Sequence, residues 1–371
     1  MTVLTVLIVA LIAVFGYLLA WPVPIAPRRW ASRPDKGFTG PFALNRGLSG
    51  LNRLDLGGGV GPEHIACGPD GKLYTGMLNG DILRMNPEGG EREIVANTGG
   101  RVLGLTFDAR GRIIAADALR GLLAVERDGT VHELATHCAG EPILFANSAV
   151  VAANGFIYLS DSSRRFAPKR WGGTFEAYKR DCLEQSATGR VLMHDPATGE
   201  TRCVAHGLSF ANGVALSSDE GALFVAETSR YRIWRLPIEA RDLDLSAGPK
   251  GGATVLFENL PGFPDNLMRG EAGRIWVGCT KPRNPMIDRM ADKLWLRKVA
   301  LRLPKALQPI PKDHAHVFAF NEAGVIVADL QDPDGIFPDS TAACEFGGRV
   351  YLGSLTAGWI GWVKWGEQSG D

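Results

Sequence analysis

The sequence predicts an all-β chain, a six-bladed β-propeller carrying one N-terminal transmembrane helix and a helical cap insertion. Three observations carry that expectation: a β-rich unit that recurs six times, an uncharged apolar stretch at the amino end, and an amphipathic segment inside the longest gap between units. Each unit has a polar turn with Gly or Asp, a β-rich segment ending on an aromatic or branched residue, a small residue, a second turn and another alternating segment. The copies read GPDGKLYTGMLNGDILRM, DARGRIIAADALRGLLAV, AANGFIYLSDSS, SDEGALFVAETSRYRIWRL, EAGRIWVGCTKPRN and FGGRVYLGSLTAGWIGWV, with anchors at Tyr74, Ile114, Tyr158, Phe224, Trp276 and Tyr351. Successive anchors lie 40, 44, 66, 52 and 75 residues apart, bracketing the ~40 to 50 residues of a propeller blade. The two long gaps mark insertions at about 164–188 and 281–314. A Rossmann or barrel enzyme would alternate strands with helical patterns of about ten residues, and a two-sheet sandwich would not need six equal units.

From Thr2 to Ala26 there is no charged side chain, and the run Val3 to Trp21 is almost wholly apolar, close to the ~20 residues that cross a bilayer's hydrocarbon. Tyr17 and Trp21 suit the interface, and Pro22, Pro24 and Pro27 stop the helix. The expected organisation is an anchor over 1–26, a linker and propeller entry over 27–50, and the propeller over 51–366. A cleaved signal peptide is the alternative; a missing basic n-region, a missing small-x-small cleavage site and an apolar run beyond the usual ~7 to 15 residues weigh against it. Arg28, Arg29, Arg33 and Lys36 follow the span, and the positive-inside rule would keep that side cytoplasmic.

Lys plus Arg equals Asp plus Glu, at 40 each, so the charge excess on which nucleic-acid binding rests is missing and no nucleic-acid partner is expected. Six cysteines form no CxxC pair, so no zinc or redox motif is readable; Cys67, Cys203, Cys279 and Cys344 read as plain buried thiols. In the second insertion, MIDRMADKLWLRKVALRL puts Met286, Met290, Leu294, Lys298 and Leu301 close to helical spacing. One amphipathic helix capping the propeller face is expected, a basic membrane-surface helix or substrate lid being the alternative.

The innermost strands of a propeller converge on one channel, so polar residues at the same phase of several blades meet there. Glu63 in GPEHIA, Asn147 in LFANSAV, Asn212 in SFANGVA and Asp265 with Asn266 in GFPDNLM hold such positions. Each alone would read as a turn residue; the recurrence, and FANS returning as FANG, reads as a site. Two carboxylates plus amide carbonyls and waters suit a hard cation such as calcium, with its ~6 to 8 oxygen ligands, and the lack of His and Cys there disfavours zinc.

The segments GPEHIACGPDGKLYTG, FANGVALSSDEGALFVAETSRYRIWRL and LPGFPDNLMRGEAGRIWVG resemble the strictosidine synthase-like family, over about Gly61 to Trp365. That group includes adipocyte plasma membrane-associated proteins and belongs with paraoxonases, gluconolactonases and squid-type phosphotriesterases in a superfamily of six-bladed calcium propellers. The resemblance implies a calcium ion held by Glu63, Asn147, Asn212 and Asp265, with Asn266 a fifth candidate. The expected function is a membrane-anchored, calcium-dependent hydrolase of esters or lactones, arylesterase- or lactonase-like, with Asp265 as nucleophile or base. Its substrate would be a hydrophobic small-molecule ester or lactone, selected by the insertions around 166–178 and 285–303. Departures are Leu103 in RVLGLTF where paraoxonases place a histidine, Ser340 or Thr341 in PDSTAACEF where strictosidine synthase uses a glutamate, and Ser148 after Asn147 where a second calcium wants an aspartate. Strictosidine-type condensation and a second metal are therefore not expected, and a non-catalytic tethered propeller binding a partner is the rival reading. His64 is expected to point away from the site, and His314 with His316 to form an exposed structural pair. Calcium availability outside the cell and the resemblance favour an extracytoplasmic propeller.

Overall fold

Short apolar segments separated by Gly-containing turns can bury only one face of a hairpin, so successive hairpins stack. In the first repeat Gly71 takes φ 72°, a left-handed conformation that glycine adopts without steric cost, and its N–H donates to the Gly68 carbonyl at 3.0 Å to close the turn. The computed structural model describes residues 2–308 and 311–366. Position 1 of the expected anchor and positions 309–310 of the second insertion lie outside the described residues.

Repetition of this hairpin pairing gives six antiparallel sheets. Blade 1 runs Ile65–Cys67, Leu73–Gly76, Asp81–Met85 and Glu93–Asn97, and blade 2 runs Val102–Phe107, Ile113–Asp117, Gly121–Val125 and Val131–Ala135. Blade 3 is Ala146–Val151, Ile157–Asp161, Gly189–His194 and Thr201–Leu208, extended by the short parallel strand Leu243–Asp244. Blades 4 and 5 begin at Ala211–Leu216 and Gly262–Arg269. Blade 6 takes three strands from the carboxyl side, Ser340–Phe346, Arg349–Ser354 and Trp359–Lys364, and its outer strand, Asn52–Asp55, from the amino side, with Asn52 opposite Trp362. The ring is thereby closed by chain ends about 300 residues apart, and the chain is a six-bladed β-propeller. Every anchor predicted from the repeat lies in the second strand of its blade.

Neighbouring blades pack side by side around the axis, so closely that two glycines, one in a first strand and one in a second, are obligatory. A Cβ on Gly213 would sit 2.2 Å from the Leu267 nitrogen of blade 5, and one on Gly278 would sit 2.1 Å from the Thr341 carbonyl of blade 6. Between blades the core is aromatic and branched, with Trp234, Trp276, Phe224, Phe318 and Tyr351 fully buried and the indole N–H groups of Trp234 and Trp276 satisfied by Glu227 and Glu345.

The apolar amino end is the helix Val3–Ala20, with no residue buried in the protein; 18 residues span about 27 Å, the length of a candidate membrane span. Its end is held by the cap. Arg302 donates to the Leu18 and Trp21 carbonyls at 2.7 Å each, offsetting the negative end of the helix dipole, and Glu184 accepts from the Ala26 N–H at 2.7 Å.

Four expectations are corrected. The second insertion forms two helices, Pro285–Arg289 and Leu294–Arg302, rather than one. Buried Arg297 explains how the break is tolerated, since its guanidinium donates to the carbonyls of Ala291 at the break, Leu183 of the other insertion and Arg28 of the linker. The first insertion also contains a helix, Thr174–Glu184, that was not expected. His314 and His316 are buried, not exposed, because Phe38 of the amino-terminal segment covers them, stacking on His314 at 4.3 Å; Cys67 and Cys203 are only half-buried.

Ring closure rests on Asn52–Asp55, whose one buried side chain is Leu54. Leu54→Ala is expected to destabilise the fold by about 2 to 5 kcal/mol, seen as a lowered midpoint in denaturant unfolding; an unchanged midpoint would contradict that role.

Candidate functional site

The first strands of blades 3, 4 and 5 each carry a register shift, between Ala146 and Ala149, Ala211 and Val214, and Pro264 and Leu267. A bulge there re-aims the side chains of the extra residues. Those residues include Asn147, Asn212, Asp265 and Asn266. Glu63, on the entry to blade 1, completes the group, and all five are buried. Glu63, Asn147, Asn212 and Asp265 line one cavity over the propeller axis, and Asn266 donates from Nδ2 to Glu63 Oε1 at 3.0 Å.

The orientation of the two FAN asparagines is fixed by neighbouring hydroxyls. Ser162 donates its proton to the Ala211 carbonyl of blade 4 at 2.6 Å, so its oxygen can only accept from Asn147 Nδ2, at 3.0 Å. Thr228 donates to the Pro264 carbonyl of blade 5 at 2.7 Å and accepts from Asn212 Nδ2 at 3.1 Å. With each NH₂ turned to a hydroxyl, each amide oxygen is turned away from it. Asn147 Oδ1, Asn212 Oδ1, Asn266 Oδ1 and Glu63 Oε2 are buried with no hydrogen-bond partner. Four orphaned acceptors in one group are costly, and a cation is the partner that suits them all. No three His, Cys, Asp or Glu cluster as ligands among the described residues; two carboxylates with three amides are instead an oxygen set fitted to a hard cation.

Electrostatics agree. Burial, reinforced by Asp265, pushes Glu63 well above the usual carboxylate range, although Arg101 and Asn266 pull it back. Burial also lifts Asp265 to about 8, the Asn212 amide opposing and Asp339 adding to the shift. His64 does not line the cavity, and burial lowers it to about 4.

Several contributors escaped the sequence reading. Asp117, Asp161 and Glu227 stand three residues after the anchors Ile114, Tyr158 and Phe224, and each accepts a backbone N–H from the loop entering its own blade, that of Arg101, Phe145 or Ser209. The recurring acid was a readable signal. In blade 2 the positions matching Asn147 and Ser162 are Leu103 and Ala118, which pack with Phe145, Phe166 and Phe210 in an apolar cluster; ligand and supporting hydroxyl are lost together. In blade 6 neither Ser340 nor Thr341 lines the cavity: Ser340 donates to the Cys279 carbonyl and Thr341 to that of Glu63. Asp339 lines it instead, accepting from Lys281 Nζ at 2.9 Å and from Thr356 Oγ1 at 2.6 Å. Phe210 and Asp339, both lining residues, hold φ of 64° and 45°, strain of ~1–3 kcal/mol each for non-glycine residues.

The remaining wall is apolar. Tyr178, Leu183, Ile287 and Ala300 of the insertions, with Phe210, Phe263 and Leu355, surround a cavity of ≈ 140 Å³.

The family model described as the SMP-30/gluconolactonase/LRE-like region matches residues 65–292, and that described as strictosidine synthase-like, N-terminal, matches 40–85. The chain belongs to the SMP-30/gluconolactonase/LRE-like family. Within it the chain is 31% identical to adipocyte plasma membrane-associated protein of Danio rerio over 97% of this chain and 88% of that one. A gluconolactonase from Xanthomonas campestris shares the fold at a TM-score of 0.57 and 18% identity, covering 92% of this chain and 98% of its own. Regucalcin from Agrobacterium tumefaciens, described as a calcium-binding protein, does so at 0.57 and 14%, covering 84% and 93%. The apolar amino-terminal helix of this family member is consistent with membrane association, the property in its relative's name.

Raised acids give a signed pH dependence. Without a cation the folded chain keeps a proton on Asp265 up to about 8, whereas its ordinary value is 3.8, so the folded state binds more protons between these limits. Stability in chelator is therefore expected to fall as pH rises from about 4 to about 8, measured as the thermal midpoint. Asp265→Asn should flatten the slope; a slope unchanged by it would contradict the assignment.

Proposed function

We propose that the chain is a calcium-dependent hydrolase of hydrophobic esters or lactones, with Glu63, Asn147, Asn212 and Asp265 as metal ligands and Asn266 supporting Glu63 or joining them. The observation that carries this is the group of orphaned oxygens from Glu63, Asn147, Asn212 and Asn266 beside a buried Asp265. The name of the regucalcin-like neighbour supports calcium, and the fold of the gluconolactonase supports lactones. Bound there, a calcium ion would polarise an ester carbonyl and stabilise the developing oxyanion.

The chain's own groups do the rest. Phe210, Phe263 and Tyr178 hold the apolar part of the substrate and exclude water, which strengthens every charge interaction inside. Asp265 takes the proton of an attacking water and passes it to the departing alcohol oxygen as the C–O bond breaks, or attacks the carbonyl itself to expel the alcohol and form an acyl-aspartate that water then cleaves. Burial alone would lower Lys281, yet its bonds to Asp313 and Asp339 outweigh this and raise it, so it keeps a fixed positive charge on the cavity wall to orient the carbonyl. The cap ties the membrane helix to the cavity wall through Arg302 and Glu184, which suits substrates that partition into lipid; an extracytoplasmic propeller would meet enough calcium to stay loaded.

Hydrolysis of phenyl acetate or a member of a lactone panel is expected with calcium and to vanish in chelator. Asp265→Asn should lower kcat/KM by ~10²–10⁴, with circular dichroism unchanged. Thr228→Val, which frees the Asn212 amide, should raise the calcium concentration for half-maximal activity by ~10–100-fold. Hydrolysis that survives chelator and Asp265→Asn would overturn the reading. A folded, calcium-loaded chain inert toward the whole panel would favour a tethered propeller that binds a partner, a reading suggested by the lack of histidine among the cavity-lining residues.

A further inference from the structure

A second cavity, of ≈ 350 Å³, lies where the linker after the membrane helix crosses blade 4. Its character is the reverse of the first: Arg29, Arg33, Arg230, Arg232 and Arg283 line it, against one lining carboxylate, Glu258. Counter-ions are short. Arg33 pairs with Glu258 at 2.6 Å and Arg283 with Asp288 at 2.6 Å. Arg230 and Arg232 share Glu227, at 3.7 and 2.5 Å, with side chains only 17% and 13% exposed. Arg29 has no carboxylate partner among the described residues. Five guanidinium groups thus meet three paired carboxylates, with buried Asp181 acting on Arg230 from further away, and positive charge remains in excess.

Two nearly buried arginines on one carboxylate repel each other; burial first, and then Arg232, lowers Arg230. The carboxylate they share is already engaged by the Ser209 N–H and the Trp234 indole. Each arginine meets Glu227 through Nε, and neither has another carboxylate partner among the described residues, which leaves terminal amino groups available toward the cavity. Planar forks of this kind match tetrahedral oxyanions.

We propose that this cavity binds a phosphate-type anion, clamped between the juxtamembrane linker and blade 4. A phosphate group carries about −1.5 to −2 at neutral pH, the sign that the excess of guanidinium groups calls for. The linker is already fixed beside the cavity, because the Arg28 N–H donates to the Glu184 carbonyl and the Arg28 carbonyl accepts from Arg297. Arg29 and Arg33 are therefore presented to Arg230 and Arg232 from the opposite wall. A lipid headgroup beside the anchor and a free phosphate in solution offer the same chemistry.

The test is calorimetric titration of the full chain in dodecyl maltoside micelles, which carry no phosphate, with inorganic phosphate and, separately, dioctanoyl phosphatidic acid, at constant ionic strength. One anion per chain is expected. Arg29→Gln, which breaks no ion pair, should weaken binding several-fold, and Arg230→Gln with Arg232→Gln at least tenfold. Phosphatidic acid binding tenfold tighter than phosphate would identify a lipid headgroup as the source; equal affinities would identify the free anion, and either supports the site. Failure of both ligands to bind, or wild-type affinity in Arg29→Gln and in a folded double variant, would overturn it. Arg29 belongs to the linker and touches neither Glu227 nor the axial residues, so Arg29→Gln separates the two sites; calcium titration of the double variant shows whether loss of both Glu227 partners has disturbed the axis.

Discussion

Oxygen atoms held away from water on the axis of the propeller have to be balanced by something positive. Glu63, Asn147, Asn212, Asp265 and Asn266 come from four blades and are buried together; Arg101 and the Asn266 amide offset part of the Glu63 charge, and the neighbouring hydroxyls leave the asparagine oxygens free to accept. Ser162 and Thr228 commit their protons to the next blade and so turn the asparagine oxygens outward. Gly213 lets blade 5 approach within the radius of a side chain, and the Thr341 hydroxyl ties the Glu63 carbonyl to blade 6. An isolated buried carboxylate costs several kcal/mol and answers by taking up a proton, which is the direction in which Asp265 and Glu63 are shifted.

The same geometry explains why the cap is built as it is. Two insertions from neighbouring faces, Thr174–Glu184 and Leu294–Arg302, roof the axis with Tyr178, Leu183 and Ala300. Arg297 satisfies carbonyls of both insertions and of the linker at once, and Arg302 grips the end of the apolar amino-terminal helix. The amino-terminal helix and the roof over the cavity are joined by one set of hydrogen bonds, which sets the apolar wall beside the candidate membrane span.

Much of this was legible in the residues. The blade count was, because a strand pair with a turn at fixed phase leaves a period that insertions stretch without erasing; the five axial residues were, because the FAN repeat marks the phase at which first strands reach the axis. Other features depend on contacts across the chain. In blade 6 the cavity wall is formed by Asp339, just before the first strand, while Ser340 and Thr341 spend their hydroxyls on the Cys279 and Glu63 carbonyls, contacts that no local pattern reveals. The cap helix looked continuous because Met286, Met290 and Leu294 keep helical spacing, while its break at Ala291 is stabilised by a residue six positions further on, Arg297. The histidine pair looked exposed because Phe38, which covers it, belongs to a segment more than 270 positions away.

The most direct test of a cation at the centre is calcium titration calorimetry of the intact chain near pH 7, in two buffers of different ionisation enthalpy. One ion per chain should bind with release of protons from the raised acids Asp265 and Glu63, and Asp265→Asn should reduce the release while weakening binding. Absence of calcium binding, or binding with the same affinity and proton count in that variant, would contradict it.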